Sequence, residues 1–199
     1  ERAAVAAGLL AGGHYIEYRH AVPPPVSIVV TAPAGPHQAA PCIQSLLSKT
    51  DYPDYEVLVV VPDTAPDDAA PPHGDARVRV LRVPPAAGRS AMINAAARAA
   101  GGDYLLLLDS AAQAVHGEWL DRLMDQARRP TVGIVGARLL TPEGRLHHAG
   151  MILGMTGAAG HLHRGLPHSE PGYLGRAQSA QYLSAVSGAG LLIRRALFH

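Results

Sequence analysis

A carboxylate at Asp109 directly follows a run of four leucines. Such a run is typical of a strand buried on both faces of a parallel sheet, so Asp109 is predicted at the carboxyl end of that strand. Ligands bind at this end in open parallel sheets. A carboxylate there can coordinate a hard cation, which in turn binds a phosphate. The alternative is an ordinary aspartate in a solvated turn or a helix cap.

Two further loops at predicted strand ends carry groups suited to a nucleotide. Asp63, Asp67 and Asp68 follow the predicted strand at residues 56–61 and could accept hydrogen bonds from a base or a ribose. A flexible acidic loop explains these residues equally well. Arg89, in a Gly-Arg-Ser sequence at a predicted helix start, could hold a phosphate together with the backbone N–H groups of the first turn.

Motifs of several other enzyme classes are absent from the sequence. The Gly-Lys-Ser/Thr of a P-loop does not occur. The glycine fingerprint that follows the first strand of nicotinamide-dinucleotide enzymes is missing as well. No serine lies in the nucleophile elbow of an α/β-hydrolase. These absences count against ATP hydrolysis by a P-loop, dinucleotide redox chemistry and serine-dependent hydrolysis.

The histidines offer a second group of candidate residues. There are eleven, among them the adjacent His147 and His148 and the closely spaced His161 and His163. His161 and His163 are predicted to point to one side of a strand and could ligate zinc, but the spacing provides no third ligand. We therefore interpret His161, His163 and Arg164 as a polar cluster that could face a substrate.

The apolar pattern predicts the elements that must position these residues. Strands are predicted at residues 26–30, 56–61, 77–83, 104–108 and 132–140, and helices at residues 42–47, 91–100 and 118–128. Ser90 is the predicted N-cap of the second helix. Strands that alternate with helices predict an α/β domain with a mostly parallel, doubly wound sheet and helices on both faces.

The two ends of the chain are predicted to differ from this repeating pattern. Residues 1–24 are predicted as an N-terminal lead segment, which three consecutive prolines separate from a domain at residues 25–199. A turn at residues 141–144 predicts a hairpin-like excursion over residues 137–155. The chain ends where a last Gly-flanked strand runs into a helix start, so the domain is predicted to be truncated at its C-terminus.

Composition and charge limit the class of protein. A chain of 199 residues, of which 48% are hydrophobic and 17% charged, fits one globular domain or slightly more. Lys+Arg 17 against Asp+Glu 16 gives a net charge of +1, which is too balanced for a nucleic-acid-binding protein. Cys42 is the single cysteine, which excludes an internal disulfide and a Cys-based zinc site.

Lys49 is the single lysine, a bias that resembles GC-rich bacterial coding. No apolar run reaches the roughly 18 residues of a membrane span and no leader is visible, so a cytoplasmic protein is predicted.

From Pro25 onward, about nine-tenths of the chain contains an ordered series of characteristic segments. They are residues 26–30, 42–53, 56–60, 94–97 with 102–108, 119–120, 135–140, 148–150, 163–165, and 187–189 with 191–195. No single segment is diagnostic. Their order and spacing together resemble the family 2 glycosyltransferases, which have the GT-A fold.

The resemblance implies transfer of a sugar from a nucleotide-diphosphate donor, often with inversion, to a hydroxyl of a glycan or other acceptor. It also implies that a divalent cation, Mg²⁺ or Mn²⁺, neutralises the diphosphate and that a carboxylate deprotonates the acceptor. The positions implied to contact the nucleotide sugar are Thr31, Asp63, Arg89, Asn94 and Asp109, with Asp109 as the metal ligand, and those on the acceptor side are His161, His163 and Arg164. The family's base is expected beyond His199, so no catalytic residue is expected within this chain.

The chain departs from the family pattern at three strand ends. The residues Thr-Ala-Pro-Ala from Thr31 onward replace a Pro-Thr-Arg-Asp-like loop, and Asp63 is shifted along the loop relative to the family's base-binding aspartate. Ala111 stands where the metal-binding aspartate of the family aligns. Two hypotheses follow. The domain is a glycosyltransferase, with activity that these losses could impair, or it is a non-catalytic GT-A-like binding or scaffold domain of a larger protein or assembly.

Overall fold

The computed structural model describes residues 2–7, 13–19, 22–65, 74–86, 88–155 and 157–198. Over these residues the strands are β1 (Arg2–Ala7), β2 (His14–Arg19), β3 (Val26–Thr31), β4 (Tyr55–Pro62), β5 (Val78–Val83), β6 (Tyr104–Asp109), β7 (Ile134–Gly136), β8 (Leu139–Leu140), β9 (Leu146–His148), β10 (Met151–Leu153), β11 (Ala159–His161) and β12 (Gly190–Arg194). The helices are α1 (Pro36–Lys49), α2 (Arg89–Ala99) and α3 (Trp119–Ala127), with short 3-10 turns at Tyr173–Gly175 and Arg195–Leu197. No helix within these ranges is long and apolar enough to cross a membrane.

A six-stranded sheet forms the centre of the described structure, in the order β5-β4-β3-β6-β12-β7. The strands β5, β4, β3 and β6 are parallel, whereas β12 is antiparallel to both β6 and β7. The strand order runs outward from β3 in both directions, which is the doubly wound arrangement. The predicted α/β fold with a mostly parallel sheet is confirmed.

The central strand β3 supplies side chains to two separate cores. Ile28 and Val30 pack on one face of the sheet in a core that includes Ile43 of α1 and residues of α3, whereas Val29 packs on the other face with Met92 of α2. Successive side chains of a strand point to opposite faces, so a strand that is apolar throughout must be covered on both sides. This explains why the helices lie on both faces.

The first helix is longer than the sequence pattern predicts. The pattern predicts residues 42–47, but α1 begins at Pro36 and includes Pro41. Pro36 is favourable at the first helical position, where an N–H has no partner within the helix. Pro41 lies on the exposed side of α1, whereas Ala39 and Ile43 are buried against the sheet. Burial of this apolar face outweighs the one backbone hydrogen bond that Pro41 cannot donate.

The strand predicted at residues 132–140 is wrong as a single element. The chain leaves the sheet at Ala137 and Arg138, which separate β7 from β8. The strand β7 pairs with β12 in the sheet, while β8 pairs with β9 in a small antiparallel hairpin. The hairpin predicted after β7 is thus present, and its turn includes Gly144 at a φ of 73°.

The N-terminal residues form an antiparallel hairpin, β1–β2, that the sequence pattern does not predict. It lies against α3, where the Arg122 guanidinium is 5.2 Å from the ring centre of Tyr15. Beyond the end of α3, the guanidinium of Arg129 is 5.8 Å from the ring centre of Tyr18. These are cation–π distances. The domain boundary near residue 25 stays a prediction.

Gly102 lies where the chain before β6 passes close to β3. Its N–H donates to Oγ of Ser27 at 2.9 Å, and a Cβ at this position would lie 2.6 Å from the backbone nitrogen of Ser27. Only glycine fits such an approach without moving the backbone of a central strand.

We expect Gly102→Ala to lower the free energy of unfolding by about 1–3 kcal/mol, because the added methyl group would force backbone atoms apart. Urea denaturation measures the change. Gly101→Ala is the matched control, since a Cβ there would lie 3.4 Å from the carboxylate of Glu56. We expect that control to change the stability by no more than about 0.5 kcal/mol. Equal losses in the two variants would contradict the close-approach explanation.

Candidate functional site

The strand register brings three predicted donor-binding residues to one edge of the sheet. Thr31 at the end of β3 pairs in register with Val60 of β4 on one side and Asp109 of β6 on the other. Thr31 is buried, whereas the side chain of Asp109 is 40% exposed. Asp63 follows β4 in an exposed turn, and its backbone N–H donates to the carbonyl oxygen of Val83 at 2.8 Å. The ends of these parallel strands form one continuous edge.

Both carboxylate oxygens of Asp109 have partners. Oδ1 accepts a hydrogen bond from the backbone N–H of Ala111 at 3.0 Å, and Oδ2 accepts one from Nη1 of Arg89 at 3.2 Å. The backbone N–H of Asp109 donates to the carbonyl oxygen of Ala189, just before β12, at 3.1 Å. The carboxylate is therefore held at the strand end, with its charge matched by a guanidinium.

Arg89 is the first residue of α2 and connects two sides of this edge. While Nη1 donates to Asp109, Nη2 donates to the carbonyl oxygen of Gly188 at 3.2 Å. The side chain is 48% exposed, so the guanidinium also faces solvent. Gly88, and not the predicted Ser90, is the N-cap, and within the described residues no side chain caps the helix. An exposed guanidinium beside an uncapped helix N-terminus is an arrangement that can bind phosphate.

The residues around Asp109 fit a divalent cation poorly. In the part of the chain that the structure describes, no group of three or more His, Cys, Asp or Glu side chains could hold a metal ion. Ala111 has no side-chain oxygen to offer, and its backbone N–H donates to Asp109. Mg²⁺ at a phosphate site is held by one or two carboxylates together with water and phosphate oxygens. A single carboxylate that is already paired with Arg89 is a weak donor set for such an ion.

The other predicted donor-binding residue, Asn94, does not join this group. It is exposed on α2, five residues after Arg89. Residues five apart are rotated by about 140° around an α-helix, so the two side chains face different directions. Asp67 and Asp68, which were candidates in the loop after β4, lie outside the described residues.

A pair of histidines, one of them fully buried, is connected to the loop that holds Arg89. His148 of β9 is only 1% exposed, and its Nδ1 lies 3.1 Å from Nδ1 of His161 in β11. Its Nε2 accepts a hydrogen bond from the backbone N–H of Ser187 at 3.1 Å. Because Nε2 accepts, the neutral ring carries its proton on Nδ1 and donates it to His161. Ser187 directly precedes Gly188, whose carbonyl oxygen accepts from Arg89.

The predicted cluster of His161, His163 and Arg164 is only partly assembled. His161 lies in β11, but His163 lies in the following turn at a φ of 56°. The expectation that these two histidines point to one side of a strand is therefore wrong, because the strand ends between them. The partner of His161 is instead His148, and sequence spacing gives no signal for a contact made between two separate hairpins. Arg164 is exposed.

Comparisons with known proteins agree with this fold. The family described as Glycosyl transferase family 2 matches residues 27–198, and the chain therefore belongs to this family. The chain is 38% identical over 193 residues to the O-antigen biosynthesis protein RfbC of Myxococcus xanthus, a match that covers 92% of this chain and 15% of RfbC. It is 35% identical over 180 residues to the uncharacterized protein y4gI of Sinorhizobium fredii, which covers 88% of this chain and 20% of y4gI. The chain thus spans a fifth or less of the length of these curated relatives.

A solved structure is similar in fold. It is the mannosyltransferase PcManGT from Pyrobaculum calidifontis in complex with GDP-Man and Mn²⁺, with a TM-score of 0.53 and 22% sequence identity. The match covers 62% of this chain and 37% of PcManGT. The chain has the GT-A fold, as the resemblance of its sequence segments predicts.

We expect the stability of the domain to fall in mild acid because of His148. Burial, together with the nearby His161 and His147, lowers the pKa of His148 to about 4. A histidine whose pKa is lower in the folded than in the unfolded state stabilises the fold above the unfolded pKa of about 6.5, and this contribution is lost as the pH falls towards 4. Between pH 7.5 and pH 5 the loss due to His148 is about 2 kcal/mol.

Urea denaturation at the two pH values measures this loss. His148→Gln keeps an acceptor for the N–H of Ser187 but cannot titrate, so its stability should change less with pH by about that amount. His116→Gln is the matched control, because His116 is exposed and is not among the groups that lower the pKa of His148, so the loss should be unchanged. The same pH dependence in His148→Gln and in the unmodified chain would show that His148 is not responsible.

Proposed function

We propose that the edge formed by Asp109 and Arg89 binds the diphosphate of a nucleotide-diphosphate sugar. The observation that supports this most directly is the exposed guanidinium of Arg89, held over the strand ends by Asp109 and the carbonyl oxygen of Gly188. Exposed ion pairs contribute only about 0–1 kcal/mol, so a diphosphate can take over part of the guanidinium at little cost. The uncapped first turn of α2 supplies further N–H donors beside it.

We place the nucleoside of this donor over the ends of β3 and β4. Asp63 is exposed there and can accept hydrogen bonds from a base or a ribose hydroxyl. Thr31 is buried and forms the floor between the two strand ends. Asn94 stays a predicted contact. The neighbour PcManGT, which has the same fold and was solved with GDP-Man, supports a nucleotide sugar as the donor class.

The proposed reaction transfers the sugar to a hydroxyl of a glycan or other acceptor. The acceptor oxygen bonds to the anomeric carbon, the bond from that carbon to the diphosphate breaks, and the diphosphate leaves with the electron pair. The acceptor proton passes to a base, which is predicted beyond His199. Because Asp109 alone fits a divalent cation poorly, we assign stabilisation of the leaving diphosphate to Arg89 and the N-terminus of α2. A cytoplasmic location stays a prediction.

Ala111 favours a second candidate function, a non-catalytic GT-A-like binding or scaffold domain within a larger protein. In the family pattern an aspartate at this position binds the metal, whereas alanine has no side-chain carboxylate and its N–H donates to Asp109. Under this alternative the sheet edge keeps its shape but binds no nucleotide. Binding of nucleotide by the chain therefore distinguishes the two candidates.

We expect Arg89→Gln to weaken binding of UDP or dTDP about 10- to 100-fold, because it removes a charge-assisted contact to the diphosphate. Titration calorimetry with both nucleotides, with and without Mg²⁺ or Mn²⁺, measures the affinity. Arg98→Gln, on an exposed position near the other end of α2, is the matched control and should bind like the unmodified chain. No heat at millimolar nucleotide under any of these conditions would support the non-catalytic alternative.

A companion variant, Asp109→Asn, determines whether the carboxylate acts through a metal or through Arg89. If Asp109 serves only to hold Arg89, nucleotide binding should persist in the variant and be equal with and without the cation. If binding to the unmodified chain requires Mn²⁺ and is lost in Asp109→Asn, the carboxylate is a metal ligand after all. The two outcomes are distinguished by one pair of titrations.

A further inference from the structure

A groove with a volume of about 420 Å³ lies beside β7. Its walls are the C-terminal part of α3 with Arg129, the residues of β7 and residues 176–183. A volume of this size is within the range of about 300–1,000 Å³ that small-molecule sites occupy. We call it the arginine groove, after Arg129, Arg138 and Arg176, which line it.

The charge of the arginine groove is one-sided. The described residues that line it include three arginines and no aspartate, glutamate or lysine. Each arginine donates to a neutral acceptor: Arg129 to Oε1 of Gln126 at 3.1 Å, Arg138 to the carbonyl oxygen of His168 at 2.7 Å, and Arg176 to Oε1 of Gln181 at 2.9 Å. The ion pairs formed elsewhere among the described residues do not include any of the three.

Burial supports the same conclusion for Arg138. The side chain is exposed as a whole, but partial burial of its guanidinium lowers the pKa, and no nearby carboxylate offsets the effect. By contrast, the pKa of Arg77, which donates to Asp75, is raised. The groove therefore holds positive charge that the described part of the protein does not neutralise, and an anion would satisfy it.

The rest of the lining suits a hydroxyl-rich molecule. Gln126, Thr131, Gln178 and Ser179 offer amide and hydroxyl groups that both donate and accept hydrogen bonds. Tyr182 adds an exposed aromatic ring, and its hydroxyl accepts from Nη2 of Arg129 at 2.9 Å. Aromatic and amide side chains around a cationic centre fit a saccharide that bears an acidic group better than they fit a simple inorganic ion.

The groove begins close to the edge where the donor is proposed to bind. The backbone N–H of Ala137, which lines the groove, donates to the carbonyl oxygen of Gly190 at 2.8 Å, and Gly190 pairs in register with Leu108 of β6. Neighbouring strands are about 4.8 Å apart, so this end of the groove lies about 10 Å from the end of β6. That distance corresponds to a small number of sugar units.

We propose that the arginine groove binds the anionic group, a carboxylate or a phosphate, of an acidic saccharide acceptor. The proposal rests on the proposed glycosyltransferase function, which it extends by assigning a chemical class to the acceptor. The neutral hydroxyl to be glycosylated reaches the donor at the sheet edge while the acidic group is held by Arg138 and Arg176. Because both of these arginines are exposed, substitution of either should leave the fold intact.

The test is a titration of the chain with four probes. Binding is monitored through the NMR signals of the arginine side chains and by calorimetry. Trigalacturonate carries carboxylates, glucose 6-phosphate carries a phosphate, maltotriose is neutral, and inorganic phosphate is an anion without a sugar. We expect one of the two acidic sugars to bind at least tenfold more tightly than maltotriose and inorganic phosphate, and to weaken as salt is raised. Which of them binds more tightly distinguishes a carboxylate from a phosphate as the group recognised.

Variants locate the binding. Arg138→Gln and Arg176→Gln should each weaken the acidic sugar at least tenfold, whereas the control Arg98→Gln should not. Equal binding of maltotriose, binding that survives both groove substitutions, or no binding of either acidic sugar would each overturn the proposal. Arg138→Gln should leave UDP affinity unchanged. If the unmodified chain binds an acidic sugar in the groove but does not bind UDP, the proposed function is overturned and the groove proposal stands. If it binds UDP but neither acidic sugar, the groove proposal is overturned and the proposed function stands.

Discussion

The parallel register of β3, β4 and β6 is the constraint on which the candidate site depends. It places Thr31 level with Val60 and with Asp109, so that the ends of three strands form one edge. These strands are buried on both faces, and a shift of one residue would exchange Ile28 and Val29 between the two cores. The free energy of core burial therefore fixes the position of polar groups that lie outside the core.

At this edge the weakly stabilising ion pair between Arg89 and Asp109 is held by the buried strands of the sheet. Arg89 joins the start of α2 to the end of β6 through Asp109 and to the loop before β12 through Gly188, yet the ion pair is exposed and contributes little to stability. The loop itself is held by a buried group, because His148 accepts from the N–H of Ser187. The hairpins after β7 thus support the position of Arg89 through this loop.

The balanced net charge of +1 conceals an uneven distribution of charge over the described surface. At the outer strand β5 and at the Asp109–Arg89 edge, arginines pair with carboxylates, as Arg79 does with Glu56 and Arg89 does with Asp109. In the arginine groove, Arg138 and Arg176 donate only to neutral oxygens. Carboxylates of the protein therefore balance Arg79 and Arg89, whereas no carboxylate among the described residues pairs with Arg138 or Arg176.

The sequence by itself determined the class of fold, the position of Asp109 after a buried strand and the position of Arg89 at a helix start, because apolar runs and helix-start signals are local patterns. Only the tertiary structure decided that these two side chains pair, that His148 contacts His161, and that α1 continues through Pro41. The reason is physical. Each of these outcomes depends on atoms supplied by another strand or on burial against the sheet, and local periodicity carries no information about which distant segments meet.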